Sequence, residues 1–415
     1  MKILLVEDSD STRLYLSVLL QQYGYDTVIA SDGVQALALL EADHAIHLVL
    51  TDWLMPNMDG LELCKRIRSM SLQRYVYLVV LTQKSQKSAL IESMEAGADD
   101  FLFKPVDKDE LRVRIEAGRR MITLEQNLAA HNQQLQQAQA QIQRDLQAAA
   151  HTQQSLLPKP CCLQGYQFDW RFYPSQWVAG DMLNYFPLTP EHIGFYQLDV
   201  SGHGIHSALL SFALYHRIIN QLGHSGLLLQ ATEQNGLVPT PPHQVAAELN
   251  QIFQSEDGLY FTLLYGVIEI SSGLVSFTQA GHPQPLKRDA VAQVEYCGSN
   301  GFPIGLLPAA DYETQQLWLM PGEMLLIYSD GVTDCQNLQG ETFGGKRLVT
   351  VFSEAQNDST YSVTHELGQV LCRWCCCEAS ELACSSQNDS EQACHWCTGK
   401  TFEDDMTFLV IQRET

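Results

Sequence analysis

LRVRIEAGRRMITLEQNLAAHNQQLQQAQAQIQRDLQAAAHTQQSLLP, residues 111–158, holds no glycine after Gly118 and no proline before Pro158. A run without either breaker reads as one long helix, or two in series. Leu128, Leu135, Ile142, Ala149 and Leu156 recur every seventh residue, and Leu124, His131 and Ala138 fill the intermediate 3/4 positions. After these the stripe passes to Leu146 rather than Asp145, a slip in register. The pattern predicts a two-stranded coiled-coil seam with a stutter, and hence a homodimer joined along residues 119–157. The other reading of the same residues is a Gln-rich spacer, or a polar helix packed on its neighbours.

The segments on either side differ in kind. Ahead of the helix, short β-branched runs (KILLV, TVIA, HLVLTD, YLVVLT, DFLFK) alternate with helical segments from Ser11, Gly33, Gly60, Lys87 and Asp107. Five βα units predict an α/β doubly wound parallel sheet over residues 1–118. After the helix, YQFDWRFYP, HIGFYQLDV, YFTLLYGVIEI, LVSFTQAG and EMLLIYSD are strand-like, with helices expected at His206–Leu222 and Pro242–Gln254. That pattern predicts an α+β two-layer antiparallel sandwich over residues 158–415.

Composition narrows the function. The 415 residues are 45% hydrophobic and 18% charged, enough for two or three domains with full cores. A formal charge of −23 argues against a nucleic-acid surface, which needs a basic face, and fits sites for metal ions. The opening MKILLVEDSD is stopped by Glu7 and Asp8 too early for a signal sequence, and no apolar run of about 18 residues occurs. The expectation is a cytoplasmic protein, off the membrane, with most of its 12 cysteines reduced.

In a doubly wound sheet the carboxyl ends of the strands converge on one crevice. Here they end in Glu7 and Asp8, Asp52, Thr82, and Lys104 followed by Pro105. Three carboxylates together repel unless a hard cation sits among them, and an all-oxygen site of this size suits Mg²⁺. These strand ends resemble the response-regulator receiver family over residues 1–118. The resemblance implies that Asp52 accepts a phosphoryl group from a histidine kinase or phosphotransfer protein and that Glu7 and Asp8 share Mg²⁺ with it. It further implies that Thr82 and Lys104 bind the phosphoryl group and that Phe101 is the switch aromatic.

In the second half four acidic landmarks stand out: Asp181 in WVAGD, Asp199 in LDVSGHG, Asp330 in YSDGVTD and Asp404 in EDDMT. Carboxylates at strand ends beside flexible turns crowd anions together, and a pair of hard divalent ions bridged by water satisfies them and activates that water. With QAGHPQP, GFPIGL and LMPGEMLLIYSDG, these motifs resemble the PPM-type serine/threonine phosphatases of the SpoIIE-like branch, over about residues 150–415 and including the entry QQSLLP. The resemblance implies a catalytic site with two Mn²⁺ or Mg²⁺ bridged by Asp199. Asp181 and the Val200 carbonyl hold one ion, and Asp330 with Asp404 hold the other, Asp405 being the alternative to Asp404. It also implies a substrate, phosphoserine or phosphothreonine on an anti-sigma-factor antagonist.

Asn184 stands where the family often has a second aspartate. His203 and His282 lie in turns where a proton shuttle or a structural hydrogen bond is open to them, and Arg171 is a candidate phosphate contact. The alternative to an enzyme is a phosphatase-like domain without turnover that acts as a phospho-regulated binding module. A cysteine-rich insert, residues 372–397, lies outside the resemblance. Cys372, Cys375, Cys394 and Cys397 form two CxxC pairs at a spacing within reach of Zn²⁺; redox sensing and unligated thiols are the other readings.

Overall fold

The computed structural model describes residues 1–70, 72, 74–83, 87–202, 204–220, 222, 224–232, 236–254, 258–355, 359–376 and 402–415. They fall into two compact units, Met1–Ile142 and Gln143–Thr415.

The first unit alternates β1 (Lys2–Val6), α1 (Asp10–Gln22), β2 (Asp26–Ala30), α2 (Gly33–Ala42), β3 (Ile46–Asp52), α3 (Gly60–Ser69), β4 (Tyr77–Thr82), α4 (Lys87–Glu95) and β5 (Asp100–Phe103). All strands are parallel, in the order β2-β1-β3-β4-β5. Both faces of the sheet are covered, so the strands are apolar throughout. Leu4, Val6, Val49 and Val80 pack on one side, and Ile3, Leu5, Leu50, Val79 and Leu81 on the other. Asp32 and Asp59 cap α2 and α3 by accepting from the N–H of Gln35 and Glu62. Strand order reverses between β1 and β3, which opens the crevice at their carboxyl ends.

One unbroken helix, α5 (Lys108–Leu156), carries the whole polar run. Its first turns are anchored by buried Leu111, Ile115 and Ile122, and its last by buried Gln153. Between these anchors residues 126–145 are exposed at every position.

The second unit contains β6 (Cys161–Leu163), β7 (Tyr166–Tyr173), β8 (Met182–Thr189), β9 (His192–Val200), α6 (Ile205–Ile219), β10 (Leu229–Ala231), β11 (Leu237–Pro239), α7 (Pro242–Ile252), β12 (Phe261–Glu269) and β13 (Leu274–Ala280). It continues through β14 (Leu286–Arg288), β15 (Val294–Tyr296), β16 (Gln315–Trp318), β17 (Met324–Tyr328), α8 (Asp330–Asp334), α9 (Gly344–Glu354), α10 (Thr360–Cys376) and β18 (Met406–Arg413). Two antiparallel sheets, β16-β13-β12-β9-β8 and β15-β14-β17-β18-β7-β6, pack face to face. Helices α6 and α7 cover the outer face of the first, and α9 and α10 that of the second.

Side-chain parity decides what enters the layer between the sheets. Ile193 and Phe195 of β9, Leu264 of β12, Ile327 of β17 and Leu409 and Ile411 of β18 fill it. By the same alternation Gln197, Asp199, Thr262, Ser329, Thr407 and Asp405 line its far end, so an apolar layer becomes polar at one edge. The Gln197 side-chain N–H donates to the Thr407 carbonyl at 2.9 Å and ties the two sheets there.

The expected helices are present as Ile205–Ile219 and Pro242–Ile252. The sequence reading did not single out β8, β18, α9 or α10. Helix α10 changes the picture of the cysteine-rich insert, since Cys372 is buried in its core-facing side beside Leu371 instead of standing in a loop.

Gly60 opens α3 with its N–H donated to the Trp53 carbonyl at 2.9 Å, and a Cβ there would collide with the Asp52 carbonyl oxygen. Gly60→Ala is therefore expected to cost about 1–3 kcal/mol, the range for overpacking. Urea unfolding of the full chain, followed by a probe in the first unit, checks this.

Candidate functional sites

The crevice of the first unit, about 280 Å³, is lined by Glu7, Asp8, Asp52, Thr82 and Lys104 among others. Oxygens of Glu7, Asp8 and Asp52 lie within 4.8 Å of one another, a set that can hold a divalent ion. Among the described residues, no other group of three or more His, Cys, Asp or Glu meets that limit. The Lys104 ammonium lies 2.8 Å from both Glu7 and Asp52, and the second Asp52 oxygen accepts from the Trp53 N–H. Burial raises the Glu7 carboxyl above its usual range, although Lys104 works against it. For Lys104 burial opposes the charge, but hydrogen bonds to Asp52 and Glu7 outweigh it and raise the ammonium. Phe101 stands apart from these groups, edge-on to Phe103 at 5.3 Å between ring centroids and beneath the Arg114 guanidinium.

In the second unit Asp181 precedes β8, Asp199 is the penultimate residue of β9, Asp330 opens α8 directly after β17, and Asp404 and Asp405 precede β18. Strands β8 and β9 are neighbours in one sheet, as are β17 and β18 in the other. The four landmarks therefore lie near one another at the polar end of the inter-sheet layer, close enough for their charges to interact, although no three of them bring oxygens within 4.8 Å of one another. Gly331 lies so close to the Asp405 carbonyl that a Cβ would collide with it, which draws the head of α8 onto the Asp404–Asp405 corner.

Asp181 is fully buried, and its carboxylate makes no hydrogen bond of good geometry, Thr407 and Ser329 being the side chains placed to donate to it. Burial, then the charges of Asp199 and Asp405, push it well above the carboxylate range. Burial, then Asp330, Asp404 and Asp405, push Asp199 up to about 8. Partial desolvation followed by Asp334 raises Asp330, although that residue faces open space. Such a cluster must take up protons or hard cations. The surroundings fit cations. A Cβ at Gly180 would stand 2.8 Å from the Val200 carbonyl oxygen, so the bare glycine leaves that oxygen room beside Asp181.

Asp404 and Asp405 have different surroundings. Asp405 is buried and accepts from the Ser175 N–H (2.7 Å), the Ser175 hydroxyl (2.8 Å) and the Gly180 N–H (2.7 Å). Its carboxylate is consumed in holding the loop that carries Asp181. Asp404 is exposed on the open side.

Gln153 grips the same loop from the end of α5: its side-chain N–H donates to the Ala179 carbonyl at 2.8 Å and its oxygen accepts from the Ala179 N–H at 3.0 Å. Nothing in the sequence distinguished Gln153 from the many glutamines around it. Thr262 was also missed. It pairs with Asp199 across β9 and β12, and its hydroxyl meets His282 Nδ1 at 2.8 Å. His282 is fully buried, which pushes its imidazole down to about 3, so it is a neutral hydrogen-bonding group here.

Arg171 lies 3.2 Å from Asp169 and over the Tyr361 ring, contacts that hold it towards α10 and away from the carboxylates. Asn184 is buried, its side-chain oxygen accepting from the Tyr185 N–H. His203, Cys394 and Cys397 lie outside the described residues.

Comparison with known proteins identifies the families of both units. The family model described as Stage II sporulation protein E (SpoIIE) matches residues 189–414, and the response regulator receiver domain matches residues 3–116. Chemotaxis protein CheY1 of Helicobacter pylori is 33% identical over 28% of this chain and 94% of its own length. Phosphoserine phosphatase RsbP of Bacillus subtilis is 28% identical over 48% of this chain, which spans only 47% of that protein. Several regulators matched through the first unit are likewise covered over about half their length, as with PhoP of Bacillus subtilis at 47%. The SiaA-PP2C domain of Pseudomonas aeruginosa superposes with a TM-score of 0.50 at 17% identity, covering 66% of this chain and 98% of that one, a likeness of fold.

A carboxyl raised by folding contributes stability below its unfolded value of about 3.9 and loses it as pH rises through its folded value. For Asp199 that loss runs up to about pH 8. Without divalent ions, Asp199→Asn should melt higher than the parent chain, by a margin that widens from pH 6 to pH 8.5. Each kcal/mol is worth roughly 2–4 °C in a unit of this size. Calorimetry with and without Mn²⁺ checks this, and Mn²⁺ should stabilise the parent far more than the variant. Equal response of the two to Mn²⁺ would remove Asp199 from the metal site.

Proposed function

This chain belongs to the SpoIIE family, with a response-regulator receiver ahead of the phosphatase domain, and we propose that it is a phosphorylation-controlled, metal-dependent protein phosphatase. The observation that carries this reading is the carboxylate cluster at the polar end of the inter-sheet layer, with Asp181 fully buried and raised by burial and by the charges of Asp199 and Asp405. Two Mn²⁺ or Mg²⁺ ions bound there would lower the pKa of water and offset the charge of a phosphate ester. Asp199 would bridge the ions, Asp181 and the Val200 carbonyl would complete one site, and Asp330 and Asp404 the other. Asp405 and Gly180 keep that loop in place.

The substrate assigned is a phosphoserine or phosphothreonine on a small anti-sigma-factor antagonist. The name of the relative RsbP, a phosphoserine phosphatase, supports the first half of that assignment. In the receiver, Asp52 would take a phosphoryl group from a histidine kinase or phosphotransfer protein, with Mg²⁺ held by Glu7, Asp8 and Asp52. Lys104, already between Glu7 and Asp52, and Thr82 would receive the phosphoryl oxygens.

Control passes through α5. Leu124, Leu128, Leu135 and Ile142 are 64%, 55%, 67% and 58% exposed, a seven-residue stripe that a second copy of the chain would cover. Rotation or a change of register in such a pair reaches the metal-ligand loop through the two bonds from Gln153 to Ala179.

Hydrolysis of an aryl phosphate by the purified chain should require Mn²⁺ and change when acetyl phosphate loads Asp52. Asp52→Asn should remove the response to acetyl phosphate but keep the Mn²⁺-dependent rate. No hydrolysis by any form, with a phosphorylated protein substrate also left intact, would favour the binding-module reading. Gln153→Ala should lower turnover or metal affinity about 10–100-fold, as for other groups that orient a ligand set. Leu135→Glu should yield monomers by light scattering and a rate indifferent to acetyl phosphate.

A further inference from the structure

Cys335 was not singled out in the sequence, being a lone cysteine five residues after Asp330. It terminates α8 as the C-cap, its N–H bonded to the Gly331 carbonyl and its thiol donating to the Val332 carbonyl at 3.3 Å. Cys375 lies near the end of α10, close enough for its side chain to act on the Cys335 thiol. The two cysteines are 40 residues apart in sequence and belong to one apolar cluster over the second sheet. They line one cleft of about 350 Å³ together with Asp334, Phe402, Glu403 and Asp404.

We propose that Cys335 and Cys375 form a reversible disulfide that turns the phosphatase site down under oxidation by a peroxide. One thiolate attacks a peroxide oxygen, giving a sulfenic acid and releasing water. The second thiol then displaces the sulfenic oxygen as another water and closes the S–S bond. Two electrons pass from the sulfurs to the peroxide, and both thiol protons leave in the two waters. The Cys375 hydrogen bond holds the Cys335 thiol below its ordinary range, against burial and the Asp334 charge, which favours the attacking form.

The consequence follows from what α8 carries. It is five residues long, begins with Asp330 and ends against Cys335. A disulfide is far shorter than a thiol–thiol contact, so bonding must draw the end of α8 towards α10. Gly331 already lies hard against the Asp405 carbonyl, leaving that short helix no slack on the other side. The displacement therefore falls on Asp330 and on the Asp404 corner, which line the same region.

The loss of turnover rests on the phosphatase reading above; the bond itself does not. The full chain is treated with hydrogen peroxide, desalted, alkylated and digested for tandem mass spectrometry, and assayed with Mn²⁺ on an aryl phosphate. The gain in melting temperature caused by Mn²⁺ is measured in parallel. The expected result is a Cys335–Cys375 bond, at least a fivefold loss of rate, a smaller Mn²⁺ gain, and recovery of both with dithiothreitol. Cys335→Ser and Cys375→Ser should keep the rate of the untreated chain and resist peroxide. Should the chain hydrolyse nothing, the bond and the Mn²⁺ gain still decide the matter. Both thiols alkylated after treatment, Cys335 bonded elsewhere, or a bond that leaves the rate and the Mn²⁺ gain unchanged would overturn the proposal. So would one equivalent of zinc in the purified chain that Cys375→Ser loses.

Discussion

Mutual repulsion of carboxylates at the open edge of two packed sheets is the constraint on which the rest of the second unit depends. An apolar layer between sheets cannot admit charge along its length, so parity confines Asp199, Asp405 and their polar neighbours to its end. Once there, burial and then the neighbouring acids raise Asp181 and Asp199. The fold meets that cost in two ways. Asp405 accepts three hydrogen bonds, two from backbone N–H groups and one from the Ser175 hydroxyl, whereas Asp181 stays fully buried beside the charges of Asp199 and Asp405. A carboxylate buried among other acids takes up a proton or a cation.

The receiver solves the same problem by different means. Its three acids carry their own counter-charge, because Lys104 reaches Glu7 and Asp52 at 2.8 Å each. A lysine on a flexible stem can exchange one anionic partner for another without leaving the crevice. Any anion added to the crevice would have to compete for an ammonium that now holds Glu7 and Asp52. The ion pairs of the second unit join Arg171 to Asp169, Lys287 to Glu323 and Arg347 to Glu341, and none of these involves Asp181 or Asp199.

Much of this was legible in the residues because strand ends are where chemistry and periodicity coincide. Glu7, Asp52, Thr82 and Lys104 each close an apolar run, and the structure gathers them in one crevice. Asp199 and Asp330 also follow apolar runs, and they converge across two sheets. What stayed hidden depends on partners far apart in sequence. Two adjacent aspartates have the same local pattern, and only Ser175 and Gly180, about 230 residues away, tell Asp405 from Asp404. Gln153 is one glutamine in a run of them until Ala179 is placed beside it. Strand β18 is plainly apolar, but the acidic corner before it drew the reading away. Helix α10 ends in the cysteines that marked an insert, and burial of Cys372 places that end in the core.

The physical case for α5 as a relay rests on where its order is enforced. An isolated helix with all faces wet is marginal, and residues 126–145 have no buried side chain to hold them. At one end Leu111, Ile115 and Ile122 fix the helix in the receiver core. At the other, Gln153 fixes it by two hydrogen bonds to a single peptide unit, that of Ala179. Two bonds to one residue define an angle as well as a distance, so rotation of the helix about its axis cannot be absorbed by a slack side chain. The next residue along, Gly180, donates to Asp405 and leaves space for the Val200 carbonyl. The loop that Gln153 holds is thus the one that carries Asp181 beside the Val200 carbonyl, which ties the last turn of α5 to the carboxylate cluster.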